Sequence, residues 1–475
     1  MTKSSSAALS RTTSDRDLLL ELRPGRGSRA GLEQALRDAI REGRLLPGAV
    51  LPSTRALALD LGIARSTVTE AYAQLTAAGY LMSHQGAGTW VASGAARVQF
   101  DTVDLAPAAA PRFDFSPHAP DLSSFPRALW QRALRRGLAK ATPDVFGSGD
   151  PQGRAELRGA LAEYLPRARG VVTTATRLIV CNGFSQGLKL ICDVLRARGA
   201  NRIGVEDPSL WRLAEIVRTA GLESVPIPVD GEGLVVEGLD EQNVAAVLVT
   251  PAHQFPLGPT MSSARRAALL AWAERQDAVV IEDDYDGEFR YDRRPIGALQ
   301  GLDPNRVVYA GTAAKTLAPG VRLGWLSLPP WMVGSAVEIR SVVERFAGVL
   351  DQLALAQLIE SGDFDRHVRA MRRIYRRRRD ILVSAVSWAA PNLRIRGVEA
   401  GLHAVLELPD HLLESELLFR AERCSIGLHG LERYRHGAYT GPQALLVSYG
   451  RPPDHAFSAS VRALTSLLQG EAASG

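Results

Sequence analysis

Residues 307–325 read VVYAGTAAKTLAPGVRLGW. The stretch joins an apolar run, a turn of small residues, Lys315 and, seven positions later, Arg322. Lysine is scarce in this chain, whose basic residues are overwhelmingly arginine. A lysine taken alone is ordinarily a solvated surface amine, so its surroundings must decide. The apolar run has several counterparts: RLIVC at 177–181, NRIGVE at 201–206, AAVLVT at 245–250, AVVIED at 278–283 and RLGWLSL at 322–328. Stretches of helical period separate several of them. Near-continuous Val, Ile and Leu runs are strands covered on both faces, which predicts a mainly parallel α/β sheet. Ligands of such sheets sit beyond the carboxyl ends of the strands. Asp283 closes one run and Lys315 follows another, so a carboxylate and an amine are expected at one edge.

That pairing matches what a pyridoxal 5'-phosphate site needs. It needs an amine for the Schiff base, a carboxylate to keep the pyridine nitrogen protonated, and cationic and backbone donors for the phosphate. Lys315 supplies the first and Asp283, in VVIEDDYDGEFRY, the second. Tyr285 falls on the same side of an extended segment, which directs its hydroxyl toward the phenolic oxygen of the cofactor. Arg322 and Thr312 flank the lysine as phosphate ligands. CNGFSQGLKL offers a strand-to-helix turn whose amides at Phe184 and Ser185 suit the phosphate. Taken alone, EDDYD reads equally as a cation site or a solvated loop. The order of the pieces favours the cofactor.

Residues 26–93 follow another rhythm. Leu32, Ala35, Leu36, Ala39 and Ile40 form a helical stripe that stops at Gly43. After RLLPGAVLP, Ser53 caps a second helix through Leu57, Ala58 and Leu61, and a GIA turn leads to a third through Val68, Ala71, Tyr72 and Leu75. YLMSHQGAGTWVA then reads as a two-stranded wing. The stripes alone would also permit a plain helical bundle. The third helix opens with Arg65, Ser66, Thr67 and Thr69 on its exposed face, the groups that base edges and phosphates require. Residues 94–111, largely AARVQFDTVDLAPAAAP, are Ala/Pro-rich and suit a linker. The body then runs over 112–475.

The 475 residues are 46% hydrophobic, ample for a large core. A net charge of +5 leans mildly toward an anionic partner. Cys181, Cys192 and Cys424 lack metal-ligand spacing and make no disulfide framework, which predicts a reducing compartment. The polar start and the lack of a run near ~18 apolar residues predict a cytoplasmic chain with no membrane segment.

The segment from Ser28 to Val91, with IREGRLLPGAVLPSTRALALDLGIARSTVTEAYAQLTAAGY and GAGTWV, resembles the winged helix-turn-helix of the GntR family. That resemblance implies double-stranded operator DNA as partner. It assigns contacts to Arg55, Arg65, Ser66 and Thr67, and to Gln85 and Gly86 at the wing tip. Ala64 replaces the usual serine-like cap. From Phe113 to about Tyr449 the chain resembles the fold-type I aminotransferase domain of the MocR/GabR regulators, with a smaller C-terminal α/β subdomain. The phrases are PDLSSFPRALWQRALRR, GDPQG, TPAHQFPLGPTMS, IEDDYDGEFRYDRRP, GTAAKTLAPGVRLGW and HVRAMRRIYRRRRD.

This second resemblance gives Lys315, Asp283, Tyr285, Arg322 and Thr312 the cofactor roles named above. The run Arg376 to Arg379 is expected on a solvated helix face. Ser148 stands for a tyrosine that reaches the partner subunit's phosphate, Leu210 for an aromatic that stacks on the ring, and Ala314 for a serine. Leu446 stands for the arginine that clamps a substrate carboxylate, which argues against amino-acid turnover. The resemblance therefore implies a homodimeric DNA-binding regulator that senses a small amine, an amino acid or pyridoxal phosphate. Its alternatives are an active aminotransferase with an appended DNA-binding domain, and a sensor that has lost the cofactor.

Overall fold

The computed structural model describes residues 29–84, 88–93, 110–117, 119–147, 149–291, 296–343, 347–397, 399–437 and 440–472. The chain divides into two compact units between residues 108 and 109.

In the first unit, helices Arg29–Arg41, Thr54–Leu61 and Arg65–Ala77 follow the three apolar stripes. Leu32, Leu36, Leu57, Val68 and Leu75 are fully buried where the stripes meet, and each such side chain contributes about 1.5–3 kcal/mol. Ser53 caps the second helix by accepting from the Ala56 amide at 3.2 Å. Gly62 ends that helix at φ 63°, a left-handed turn that glycine enters without strain. The wing strands Leu81–His84 and Gly88–Val91 are antiparallel as expected, but the sheet has a third strand, Val50–Leu51, paired with Gly88–Val91. Two residues inside RLLPGAVLP are too few for strand period to be visible. Tyr72 donates to the Pro52 carbonyl at 3.0 Å and ties the third helix to that strand.

In the second unit, eight strands lie in the order Leu178–Cys181, Gly324–Ser327, Val307–Thr312, Val279–Asp284, Ala246–Val249, Arg202–Asp207, Glu223–Asp230 and Gly233–Leu234. Neighbours from Val307–Thr312 to Glu223–Asp230 are parallel. Gly324–Ser327 is antiparallel to both of its neighbours. A parallel return needs a crossover of about a dozen residues or more, usually a helix; residues 313–323 hold only a loop and a short 3₁₀ turn, so the chain doubles back.

The smaller subdomain is a four-stranded antiparallel sheet of Arg394–Arg396, His403–Glu407, Ala444–Ser448 and His429–Gly430. Phe113–Asp114 pairs with Ile426–Gly427, so the start of this unit packs into its end. Phe115, Tyr375, Leu406, Val447 and Tyr449 share that core.

The arginine run departs from the solvated face expected of it. In helix Asp363–Ala389 the 3.6 period turns Arg378 inward with Met371, Tyr375 and Leu382. Arg378 pairs with the buried Asp121 at 2.9 Å, donates to the Pro452 carbonyl and lies 5.1 Å from the Phe457 ring centroid. Arg376 and Arg377 are exposed as expected. The three cysteines are free, and among the described residues no helix is long and apolar enough to cross a membrane.

Candidate functional site

At the carboxyl edge of the large sheet a cavity of about 310 Å³ opens. Its walls include Lys315, Asp283, Tyr285, Arg322, Thr312, Phe184 and Ser185, every residue expected to hold the cofactor. The topology explains the meeting. Asp283 pairs with Ala310 near the ends of parallel strands, and Thr312 pairs with Gly324, which in turn pairs with Cys181. Phe184 and Ser185 begin helix Phe184–Ala197 immediately beyond Cys181, so the unpaired amides of its first turn face the cavity edge.

Close backbone approach makes this edge possible. A Cβ on Gly324 would come within 3.1 Å of Gly183 and of the Gly311 carbonyl. Arg322 holds a left-handed backbone at φ 55°, a conformation that costs a non-glycine residue about 1–2 kcal/mol. It is exposed, and among the described residues its side chain has no hydrogen bond or ion pair. Thr312 Oγ1 accepts from the Ala314 amide at 3.1 Å.

Burial governs the ionisation of the central pair. It pulls the Lys315 amine down to about 8, against the attraction of Asp286 and Asp283. Burial and the neighbouring Asp284 push the Asp283 carboxyl well above the usual carboxylate range, with Lys315 opposing. A cation arriving beside Asp283 would restore its carboxylate, as a protonated ring nitrogen does.

Behind the cavity lie groups that sequence reasoning did not single out. His253 Nδ1 stands 2.9 Å from the Tyr285 hydroxyl and 2.8 Å from Asp286 Oδ2. The Tyr285 phenol is held in place and pushed up, first by burial and then by Asp286. Asp284 accepts a bidentate pair from Arg169, at 2.6 and 2.9 Å, and a bond from Tyr309 at 2.8 Å. With Asp284 and Asp286 so engaged, EDDYD is neither a cation site nor a solvated loop, and no metal-holding group occurs among the described residues. Glu206, Arg212 and Arg433 also line the cavity. His253 lies within TPAHQFPLGPTMS, a phrase noted only as a family match. Nothing local marked Arg433.

Leu210 and Trp211 both line the cavity. Leu446 does not; it is fully buried in an apolar cluster with Val405, Leu431 and Tyr434, against which Leu210 and Phe255 pack. Ser148 lies outside the described residues.

In the winged unit, Arg55, Arg65 and Ser66 are exposed and Thr67 is half-buried. Arg65 and Ser66 open the third helix, and Ala64 provides no side-chain cap there. Arg55 stands in the first turn of the second helix. Gln85 and Gly86 lie outside the described residues.

Residues 28–91 match the family described as bacterial regulatory proteins, gntR family, and residues 119–425 match aminotransferase class I and II. The probable rhizopine catabolism regulatory protein MocR of Rhizobium meliloti is 35% identical, over 82% of this chain and 83% of its own. The HTH-type pyridoxine biosynthesis transcriptional regulator PdxR of Corynebacterium glutamicum is 34% identical, over 82% of this chain and 85% of its own. Among solved structures, a multiple substrate aminotransferase from Thermococcus profundus shares the fold with a TM-score of 0.69 at 23% identity, over 78% of this chain and 94% of its own.

Proposed function

This chain belongs to the MocR-type HTH transcriptional regulators, which join a gntR-type DNA-binding segment to an aminotransferase class I and II body, and from that premise we propose a ligand-responsive repressor or activator. Its body binds pyridoxal 5'-phosphate and answers a small amine, an amino acid or pyridoxal phosphate itself with a change in operator affinity. The aminotransferase class implies that cofactor. The observation that carries the reading is one cavity lined by an amine, a carboxylate, a phenol, a guanidinium and a helix N-terminus.

In this reading Lys315 holds the group through its amine, Asp283 keeps the ring nitrogen protonated and Tyr285 donates to the phenolic oxygen. Arg322, Thr312 and the amides of Phe184 and Ser185 bind the phosphate. His253 and Asp286 fix the Tyr285 hydroxyl. Bound pyridoxal phosphate supplies an electrophilic carbon at which amines exchange. In the winged unit Arg55, Arg65, Ser66 and Thr67 contact operator DNA, joined by Gln85 and Gly86. A cytoplasmic homodimer offers two such units to two half-sites.

Transamination is not part of the proposal. Leu446 fills an apolar cluster where an arginine would have to stand, and without a clamp a substrate is poorly positioned for bond breaking. The name of the PdxR relative, a pyridoxine biosynthesis regulator, supports the cofactor as one candidate effector. The test titrates amines and pyridoxal phosphate into the purified protein while absorbance and operator affinity are recorded. A coupling of about 1–3 kcal/mol is expected, and operator DNA must shift effector affinity by the same factor. Rapid keto-acid formation with operator affinity indifferent to every ligand would replace this reading by the aminotransferase one.

A further inference from the structure

Leu446 lies beneath a built feature. The 3₁₀ turn Leu431–Tyr434 seats its two apolar residues, Leu431 and Tyr434, in the same cluster as Leu446. The turn is pinned from several sides. Glu414 accepts from the Leu431 amide at 3.0 Å and the Glu432 amide at 3.1 Å. The Tyr434 hydroxyl meets His429 Nδ1 at 2.6 Å, and the Tyr434 carbonyl accepts from the Ser209 amide at 2.9 Å. Just beyond, the His436 amide donates to Asp207 at 2.7 Å, and the His436 ring meets the Ser209 hydroxyl. The turn is thereby fixed to the loop that carries Leu210 and frames the cavity.

Arg433 is the residue this turn presents. It lines the cavity that holds Lys315, it is exposed, and among the described residues it has no hydrogen bond or ion pair. Its acidic neighbour, Glu432, is taken by Arg435 at 3.0 Å. A guanidinium on a rigid support is a preorganised, planar receptor for a carboxylate. Arg212, the other arginine of the outer wall, lies over the Trp211 ring at 5.4 Å.

We propose that Arg433 is the carboxylate-binding residue of the effector site, so that the effector is an amino carboxylic acid whose amine reaches Lys315 while its carboxylate meets Arg433. The assignment rests on the amine-sensing reading above and narrows its ligand class. The turn occupies the space above Leu446 and moves the positive charge from the strand Ala444–Ser448 to the cavity wall.

The experiment uses the full-length protein loaded with pyridoxal phosphate. It is titrated with amino carboxylic acids of increasing amine-to-carboxylate distance and with matched alkylamines lacking the carboxylate, followed by visible absorbance and calorimetry. The wild type is expected to prefer one amino acid over its matched amine by about ten-fold or more, the usual worth of a charge-assisted hydrogen bond. Arg433→Gln should erase that preference while leaving alkylamine affinity and the unliganded spectrum as in the wild type, and Arg433→Lys should keep part of it. Survival of the preference in Arg433→Gln, or its loss in Arg212→Gln alone, overturns the assignment. So does a wild type that binds amino acids and alkylamines equally. A wild type whose spectrum answers no amine of either class sinks the amine-sensing reading itself.

Discussion

Replacing Lys315 by methionine should stabilise the cofactor-free protein. Methionine keeps the length of the side chain and removes the charge that burial penalises. The amine falls from its ordinary 10.5 to about 8 in the folded state, which at about 1.4 kcal/mol per pH unit corresponds to about 3 kcal/mol. Solvent reaching the half-buried side chain reduces this to about 2 kcal/mol. Because the folded value lies below the unfolded one, the unfolded chain binds more protons between about 8 and 10.5. The penalty is therefore complete below pH 8 and disappears as the pH climbs through that window. Urea unfolding of wild type and variant at several pH values from 7 to 10, read by tryptophan fluorescence, measures it. The variant should lead by about 2 kcal/mol at pH 7 and converge with the wild type toward pH 10. A variant no more stable at pH 7, or a gap that ignores pH, would refute the reasoning. The penalty has a use: at pH 7 about one amine in ten is neutral, against about three in ten thousand for an ordinary lysine.

Three further outcomes are expected. Borohydride reduction of the loaded protein followed by peptide mapping should place a pyridoxyl group on Lys315, and Lys315→Ala should lack the visible band; an adduct mapped elsewhere removes the assignment. Arg65→Ala should weaken operator binding by about 1–3 kcal/mol and relax one base position if it reads a base edge, whereas Arg55→Ala should weaken all sequences alike and lower the salt slope by about one if it contacts a phosphate; unchanged binding by both sinks the recognition-helix reading. Asp121→Ala should leave the Arg378 guanidinium, only 3% exposed, without its buried partner, a loss of about 3–5 kcal/mol in thermal unfolding; a shift under 1 kcal/mol, flagged here as roughly the value of a surface pair, would show that Asp454 suffices.

Periodic and local features were legible in the sequence. The apolar runs located the strands of the large sheet, the stripes through Leu36, Leu57 and Val68 located the winged unit's helices, and the strand-end rule put Asp283 and Lys315 at one edge. Each depends on residues close in the chain. Tertiary structure decided the rest. Arg378 looked like its neighbours until Asp121, far away in sequence, met it; the same approach of distant segments brought His253 behind Tyr285. The reversal of Gly324–Ser327 followed from the space available between strands, which composition does not encode. Arg433 acquired its place in the cavity because Leu431 and Tyr434 seat their turn on Leu446. A side chain's type fixes what it can bond to, but its partner is fixed by which segments the packed core brings within reach.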